Sequence, residues 1–249
     1  MTTPIAVVLL AAGLFEQSVT HILRERFPHV SFVLLDIKSG AQLATNWKNL
    51  ELPVPPGSLV KPFLAAAAPA THAYACESSK CWSPTGHGTR VNLVSAIAHS
   101  CNAYFRELAA ESDLERLDVL LRAHGLPAPR ANASTEELIG LGRGWQASPR
   151  ALALAYARLL RSPAAQRVRE GMRMSAHQGT GKLIGIDALV KTATAPCAHP
   201  SGGAGDGYTV AAFPANEPRY LLLVQRHGTT GSQTAQVAGQ MLRVLRDGK

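Results

Sequence analysis

The sequence predicts an α+β fold: one antiparallel sheet built from N- and C-terminal strands, flanked by helices, with a mainly helical insertion between them. Three observations lead there. Runs rich in β-formers sit at 30–36 and 41–45, and again in the last third at 189–194, 207–213 and 220–225. Helical segments dominate the middle, and neither an internal repeat nor a low-complexity linker divides the chain. Its 249 residues, 46% hydrophobic and 17% charged, suffice for a sizeable core and exclude a disordered chain. No apolar run reaches the roughly 18 to 20 residues that span a bilayer as a helix. Four cysteines are too few for a disulfide-built scaffold.

Ile5 to Phe15 is an apolar run of signal-peptide length, with Ala11, Ala12 and Gly13 late in it, but no Lys or Arg precedes it. Residues 1–29 are therefore read as an export signal or an N-terminal helical segment, and residues 30–249 as the folded domain. An amphipathic stretch, Glu16 to Phe27, leads into a strand at Val30 to Asp36; Lys38-Ser39-Gly40 turns the chain back through Ala41 to Thr45. Pro53, Pro55, Pro56 and Gly57 break the backbone before an alanine-rich helix, Ser58 to Ala68, where Pro62 is tolerated in a first turn. Residues 72–90, with Cys76, Cys81 and a Gly/His-rich patch, read as loop. Leu93 to Ala109 and Leu114 to His124 read as helices. Ser148 to Arg161 is a third, opening on Ser-Pro, an N-cap with proline at the first helical position. The last element, Thr234 to Leu245, places Val237, Met241, Leu242 and Leu245 on one side.

The balance of 25 basic to 17 acidic residues gives a net charge of +8. The basic residues are scattered, or concentrated in helical stretches such as Arg158, Arg161, Arg167, Arg169 and Arg173, without interleaved aromatics. A solvated basic face follows, and no nucleic-acid partner is expected. His87, His99 and His124 fall on different elements, so neither a metal site nor a cofactor is expected.

Three short motifs carry candidate chemistry. Ser58-Leu-Val-Lys61 puts a hydroxyl and an amine one helical turn apart. A serine becomes nucleophilic when a neighbouring base takes its proton, and a lysine is such a base when burial or a nearby cation lowers its pKa. Ser100-Cys101-Asn102 offers a second hydroxyl for proton relay and an amide for a peptide carbonyl. Lys191-Thr192-Ala193-Thr194, on a strand, offers a cation and hydroxyls for a carboxylate and a backbone for an extended substrate. Each motif alone is weak.

Their order, with the first directly after Pro56-Gly57, resembles the penicillin-binding protein transpeptidase domain, kin to the serine β-lactamases. The resemblance runs over roughly residues 30 to 245. It includes the opening hairpin at Val33 to Gly40, the nucleophile segment Pro56 to Phe63, and the stretch Val91 to Phe105 after Gly86-His87-Gly88. It also takes in Ile139-Gly140, Ala147-Ser148-Pro149, Gly171-Met172, Gly179-Thr180 and Asp206 to Pro214. It implies Ser58 as the acylated nucleophile, Lys61 as its base or proton shuttle and Ser100 as a relay. Asn102 would hold the substrate peptide, and Lys191 and Thr192 its C-terminal carboxylate. Backbone N–H groups of Ser58 and Thr194 would form the oxyanion hole. The implied partners are peptidoglycan stem peptides, β-lactams and proteins of the cell envelope, with a periplasmic or envelope location.

One position departs from the pattern. The third motif usually ends in glycine, and here it is Ala193, whose methyl could narrow the cleft or be tolerated. The expected activity is that of a D,D-transpeptidase or D,D-carboxypeptidase. A serine β-lactamase and a catalytically retired binding module are the alternatives. Cys76 and Cys81 lie in one loop and could pair in an exported protein, while Cys101 reads as a small buried residue.

Overall fold

The computed structural model describes residues 17–68, 73–75, 90–197 and 205–247. The described part of the chain begins in a helix, α1 (residues 17–26), followed by β1 (Ser31–Asp36) and β2 (Gln42–Thr45) as an antiparallel hairpin. A 3-10 turn, Gly57–Val60, leads into α2 (Lys61–Ala67). Two short strands, β3 (Ala73–Ala75) and β4 (Arg90–Asn92), pair antiparallel. The helical part continues with α3 (Leu93–His99), α4 (Asn102–Ala110), α5 (Leu114–His124), α6 (Thr135–Leu138), α7 (Pro149–Arg161) and α8 (Gln166–Gln178). The chain then returns through β5 (Leu189–Ala195), β6 (Asp206–Phe213), β7 (Tyr220–His227) and α9 (Gly231–Asp247). The main sheet is antiparallel in the order β2-β1-β7-β6-β5, so strands from both ends of the chain meet where β1 pairs with β7.

Strand alternation divides the interior into two layers. Val33, Leu35, Leu221 and Leu223 face the helical insertion, packing with Phe63, Phe105, Leu121 and Tyr156. Phe32, Leu34, Leu222 and Val224 face the other way, against Val19 and Leu23 of α1 and Met241 and Leu242 of α9. Both faces are covered, which is why β1 and β7 read as unbroken apolar runs rather than as alternating ones. Among the described residues, no helix is long and apolar enough to cross a membrane.

Several elements differ from the sequence expectation: α6 is absent from it, α8 enters it only as a basic helical stretch, and the helix expected from Ser58 begins as a 3-10 turn. The expected single helix from Leu93 to Ala109 is two, because Ser100 adopts a left-handed conformation (φ 53°, ψ 39°) and caps α3. Ser100 N donates to Ile97 O and Cys101 N to Ala96 O, closing the helix end, and Cys101 then caps α4. The stretch 72–90, read as loop, supplies β3 and β4 at its ends. Cys76, Cys81, His87 and the apolar run Ile5 to Phe15 lie outside the described residues.

The nucleophile segment is anchored from α7, where the buried Tyr156 hydroxyl donates to Leu59 O at 2.7 Å and its ring meets Phe63 edge-on. Tyr156→Phe leaves that carbonyl without its donor, an expected loss of about 1–3 kcal/mol. Urea denaturation checks it, and an unchanged midpoint would remove the anchoring role.

Candidate active site

Gly57, at φ +57°, delivers Ser58 to the start of the 3-10 turn, where Ser58 is buried and lines a cleft of about 440 Å³. The turn can sit there because residue 140 is glycine: a Cβ on Gly140 would come within 2.0 Å of Gly57 O. Ile139-Gly140 is therefore a close-approach point that presses the nucleophile turn into place.

Lys61 follows one turn later, fully buried. Its Nζ donates to Ser100 O at 3.0 Å and to Asn102 Oδ1, and stands 5.3 Å from the Phe105 ring centroid. The left-handed turn at Ser100 makes this possible, since it aims the carbonyl at the ammonium instead of along a helix. Such backbone costs on the order of 1 kcal/mol for a non-glycine residue and persists where surrounding contacts hold it.

From the opposite side, Lys191 Nζ donates to Ser100 Oγ at 2.9 Å and to Thr192 O at 2.6 Å. Ser100 thus sits between two lysines, one on its carbonyl and one on its hydroxyl. Lys191 is fully buried, and burial, with the Lys61 charge as the second cause, holds its ammonium well below the usual lysine value.

All seven residues singled out in the sequence converge here. Ser58, Ser100, Asn102, Thr192 and Thr194 line the cleft. Lys61 and Lys191 are buried against the 100–102 turn behind it. Thr192 Oγ1 donates to Thr180 Oγ1 at 2.6 Å, while Thr194 Oγ1 accepts from Gly231 N at the start of α9. Thr180 is a cleft residue that residue-level reasoning passed over. Gly179-Thr180 stood out only as a landmark, and what gives Thr180 a role is Thr192 folding back on it.

Ala193 is 3% exposed, and its methyl is turned toward Gly57: a Cβ built on Gly57 would lie 3.2 Å from Ala193 Cβ. The extra methyl packs under the nucleophile turn, against the one residue there with no side chain. Among the described residues β5 is an edge strand of the sheet, paired to β6 alone, a place where an extended peptide can add along its other side.

The fold has counterparts in proteins of known structure. The protein is similar to Pseudomonas aeruginosa PBP2 solved in complex with WCK 5153, at 20% identity and a TM-score of 0.73, over 87% of this chain and 71% of that one. Helicobacter pylori PBP2, solved in complex with MreC, is 18% identical with a TM-score of 0.76, over 93% of this chain and 62% of that one. The chain thus spans less than two thirds of the Helicobacter protein. The transpeptidase domain of the FtsI4 D,D-transpeptidase from Legionella pneumophila is 19% identical with a TM-score of 0.66, over 93% of this chain and 94% of that one. Comparison with curated protein sequences gives no match. The family model described as penicillin binding protein transpeptidase domain matches residues 30–244, from β1 into α9 and across all three motifs. Because that match takes in most of the chain and all three motifs, the chain belongs to the penicillin-binding protein transpeptidase domain family.

Proposed function

We propose that the protein is a serine acyltransferase acting on peptidoglycan stem peptides that end in D-alanyl-D-alanine, and that penicillin acylates the same serine. The observation that carries this reading is the convergence of Ser58, Lys61, Ser100 and Lys191 at one cleft beside an edge strand. The substrate extends along β5, with its terminal carboxylate near the Thr192 and Thr180 hydroxyls and the buried charge of Lys191. With Lys61 as the neutral amine, Ser58 Oγ attacks the penultimate carbonyl carbon as its proton passes to the Lys61 Nζ lone pair, while N–H groups of Ser58 and Thr194 receive the oxyanion. Collapse breaks the C–N bond, and the proton reaches the departing amine through Ser100, whose hydroxyl is held by Lys191. An amine or water then takes the acyl group from Ser58.

This substrate is the reason for proposing a periplasmic or cell-envelope location. The relative solved in complex with WCK 5153 supports ligand binding, and the relative solved in complex with MreC supports a protein partner. Intact-mass spectrometry with a fluorescent penicillin tests the reading through adduct lifetime. A stable adduct on Ser58 is expected. Rapid release of opened penicillin would make the protein a β-lactamase, and no adduct would make it a retired module.

The burial of the Ala193 methyl favours a working site over a retired one. Ala193→Gly is expected to leave the acylation rate within about threefold and to cost roughly 0.5–1 kcal/mol of stability through backbone freedom. A gain of a hundredfold or more, measured with the same penicillin, would show instead that the methyl obstructs the cleft.

A further inference from the structure

Beyond the cleft, three strand ends bring together residues far apart in sequence. Cys197 lies two residues past β5, Asp206 is the first residue of β6 and His227 the last of β7. The register pairs Asp206 with both Ala195 and His227, so all three sit at one end of the sheet. Cys197 Sγ is 3.3 Å from His227 Nδ1, and His227 Nδ1 is 2.9 Å from Asp206 Oδ1. The three donor atoms fit within 4.8 Å of one another. Cys197 is 5% exposed and Asp206 1% exposed, while His227 reaches solvent.

This geometry does not suit a nucleophilic relay. In a Cys-His-Asp relay the thiol and the carboxylate occupy opposite ring nitrogens, so that the acid orients the base. Here both address Nδ1. Three donors converging on one point instead form one face of a coordination polyhedron.

We propose that Cys197, Asp206 and His227 form a mononuclear site for a borderline-soft divalent metal ion of the zinc class. Tetrahedral zinc with bonds of about 2.3 Å to sulfur and about 2.1 Å to nitrogen and oxygen sets S···N near 3.6 Å and N···O near 3.4 Å. The observed separations fall short by only a few tenths of an ångström, a shift within reach of side-chain rotation. Thiolate and carboxylate together cancel the double positive charge, so a buried site carries no net charge. The thiolate and imidazole select zinc or cobalt over calcium and magnesium, which prefer all-oxygen sets. On binding, the Cys197 thiol releases its proton to solvent, and the imidazole proton resides on Nε2, leaving the Nδ1 lone pair for the metal. Among the described residues three protein side chains reach the ion. The ion would tie the exit of β5, three residues past Thr194, to the end of β7, bracing one rim of the cleft.

The test is metal titration of the purified, chelator-treated protein with CoCl₂ and ZnCl₂. One equivalent of cobalt should bind with a thiolate-to-cobalt charge-transfer band, and zinc should displace it. Cys197→Ser should abolish the band, and His227→Ala, a change at a solvent-reaching residue, should weaken binding by more than 100-fold with the circular dichroism spectrum retained. Cys76→Ser/Cys81→Ser removes the other sequence-local thiol pair and should leave the band unchanged. Failure of the wild-type protein to bind would overturn the proposal. So would a band that survives in Cys197→Ser and His227→Ala but disappears in the double variant.

Discussion

Ser58→Ala removes covalent labelling by a fluorescent penicillin, with an acylation rate lower by a factor on the order of 10³ or more. Loss of the nucleophile in a serine acyl-transfer enzyme costs up to about 10⁶ in turnover, because no other group forms the acyl bond. Ser58 is the hydroxyl that combines a helix-start position, a place on the cleft wall and a lysine one turn away. The substitution deletes one oxygen from a buried site, so the fold persists: Tyr156 still holds Leu59 O, and Gly140 still admits the Gly57 carbonyl. The comparison therefore needs only a gel for the label and a melting curve for the fold. Labelling that persisted in a folded Ser58→Ala protein would move the nucleophile elsewhere and sink the mechanism.

What the sequence could show was local. Ser58 and Lys61 are three residues apart, so their relation is a matter of helical spacing, and Ser148-Pro149 states its own helix start, confirmed by Ser148 Oγ accepting from Ala151 N. The strands at 30–36 and 220–225 announce themselves because burial on both faces leaves little polar alternation to confuse them, whereas 189–194 shows itself through its β-branched residues Val190, Thr192 and Thr194. The break at Ser100 was not legible in the same way. Ser100-Cys101-Asn102 is only a short polar interruption in an otherwise helical composition, and what stabilises the left-handed residue is a pair of lysines 39 and 91 positions away. Residue 140 illustrates the same limit, since its glycine matters only because Gly57 O lies where a side chain would be. The Cys197, Asp206 and His227 cluster has no spacing signature, because sheet register and not sequence interval assembles it. Ala193 looked like damage to a motif, and only its packing against Gly57 shows where the methyl goes.

Lys61→Met should lower the penicillin acylation rate by about 10² to 10⁴, the range a positioned general base contributes. A second consequence follows from the paired lysines. In the intact protein Lys191 holds its proton weakly, first because it is buried and then because Lys61 is close. The unfolded chain has no such restriction, so between the lowered Lys191 value and the usual 10.5 it binds more protons than the folded chain. Stability attributable to this group therefore rises with pH across that window and is lost as pH falls through the lowered value. Removing the Lys61 charge deletes the repulsion and leaves burial, so the Lys191 titration moves upward and the window narrows. The same change takes an ammonium donor from Ser100 O and Asn102 Oδ1, an expected cost of about 1–3 kcal/mol for each buried acceptor left unsatisfied. Relief from holding a second buried cation offsets part of that cost. Carbon-13 NMR of the lysine Cε signals, with Lys191→Met identifying the resonance, reads the shift directly. If Lys191 titrates identically with and without Lys61, the two ammonium groups are not coupled through Ser100, and the proton relay between them has no electrostatic basis.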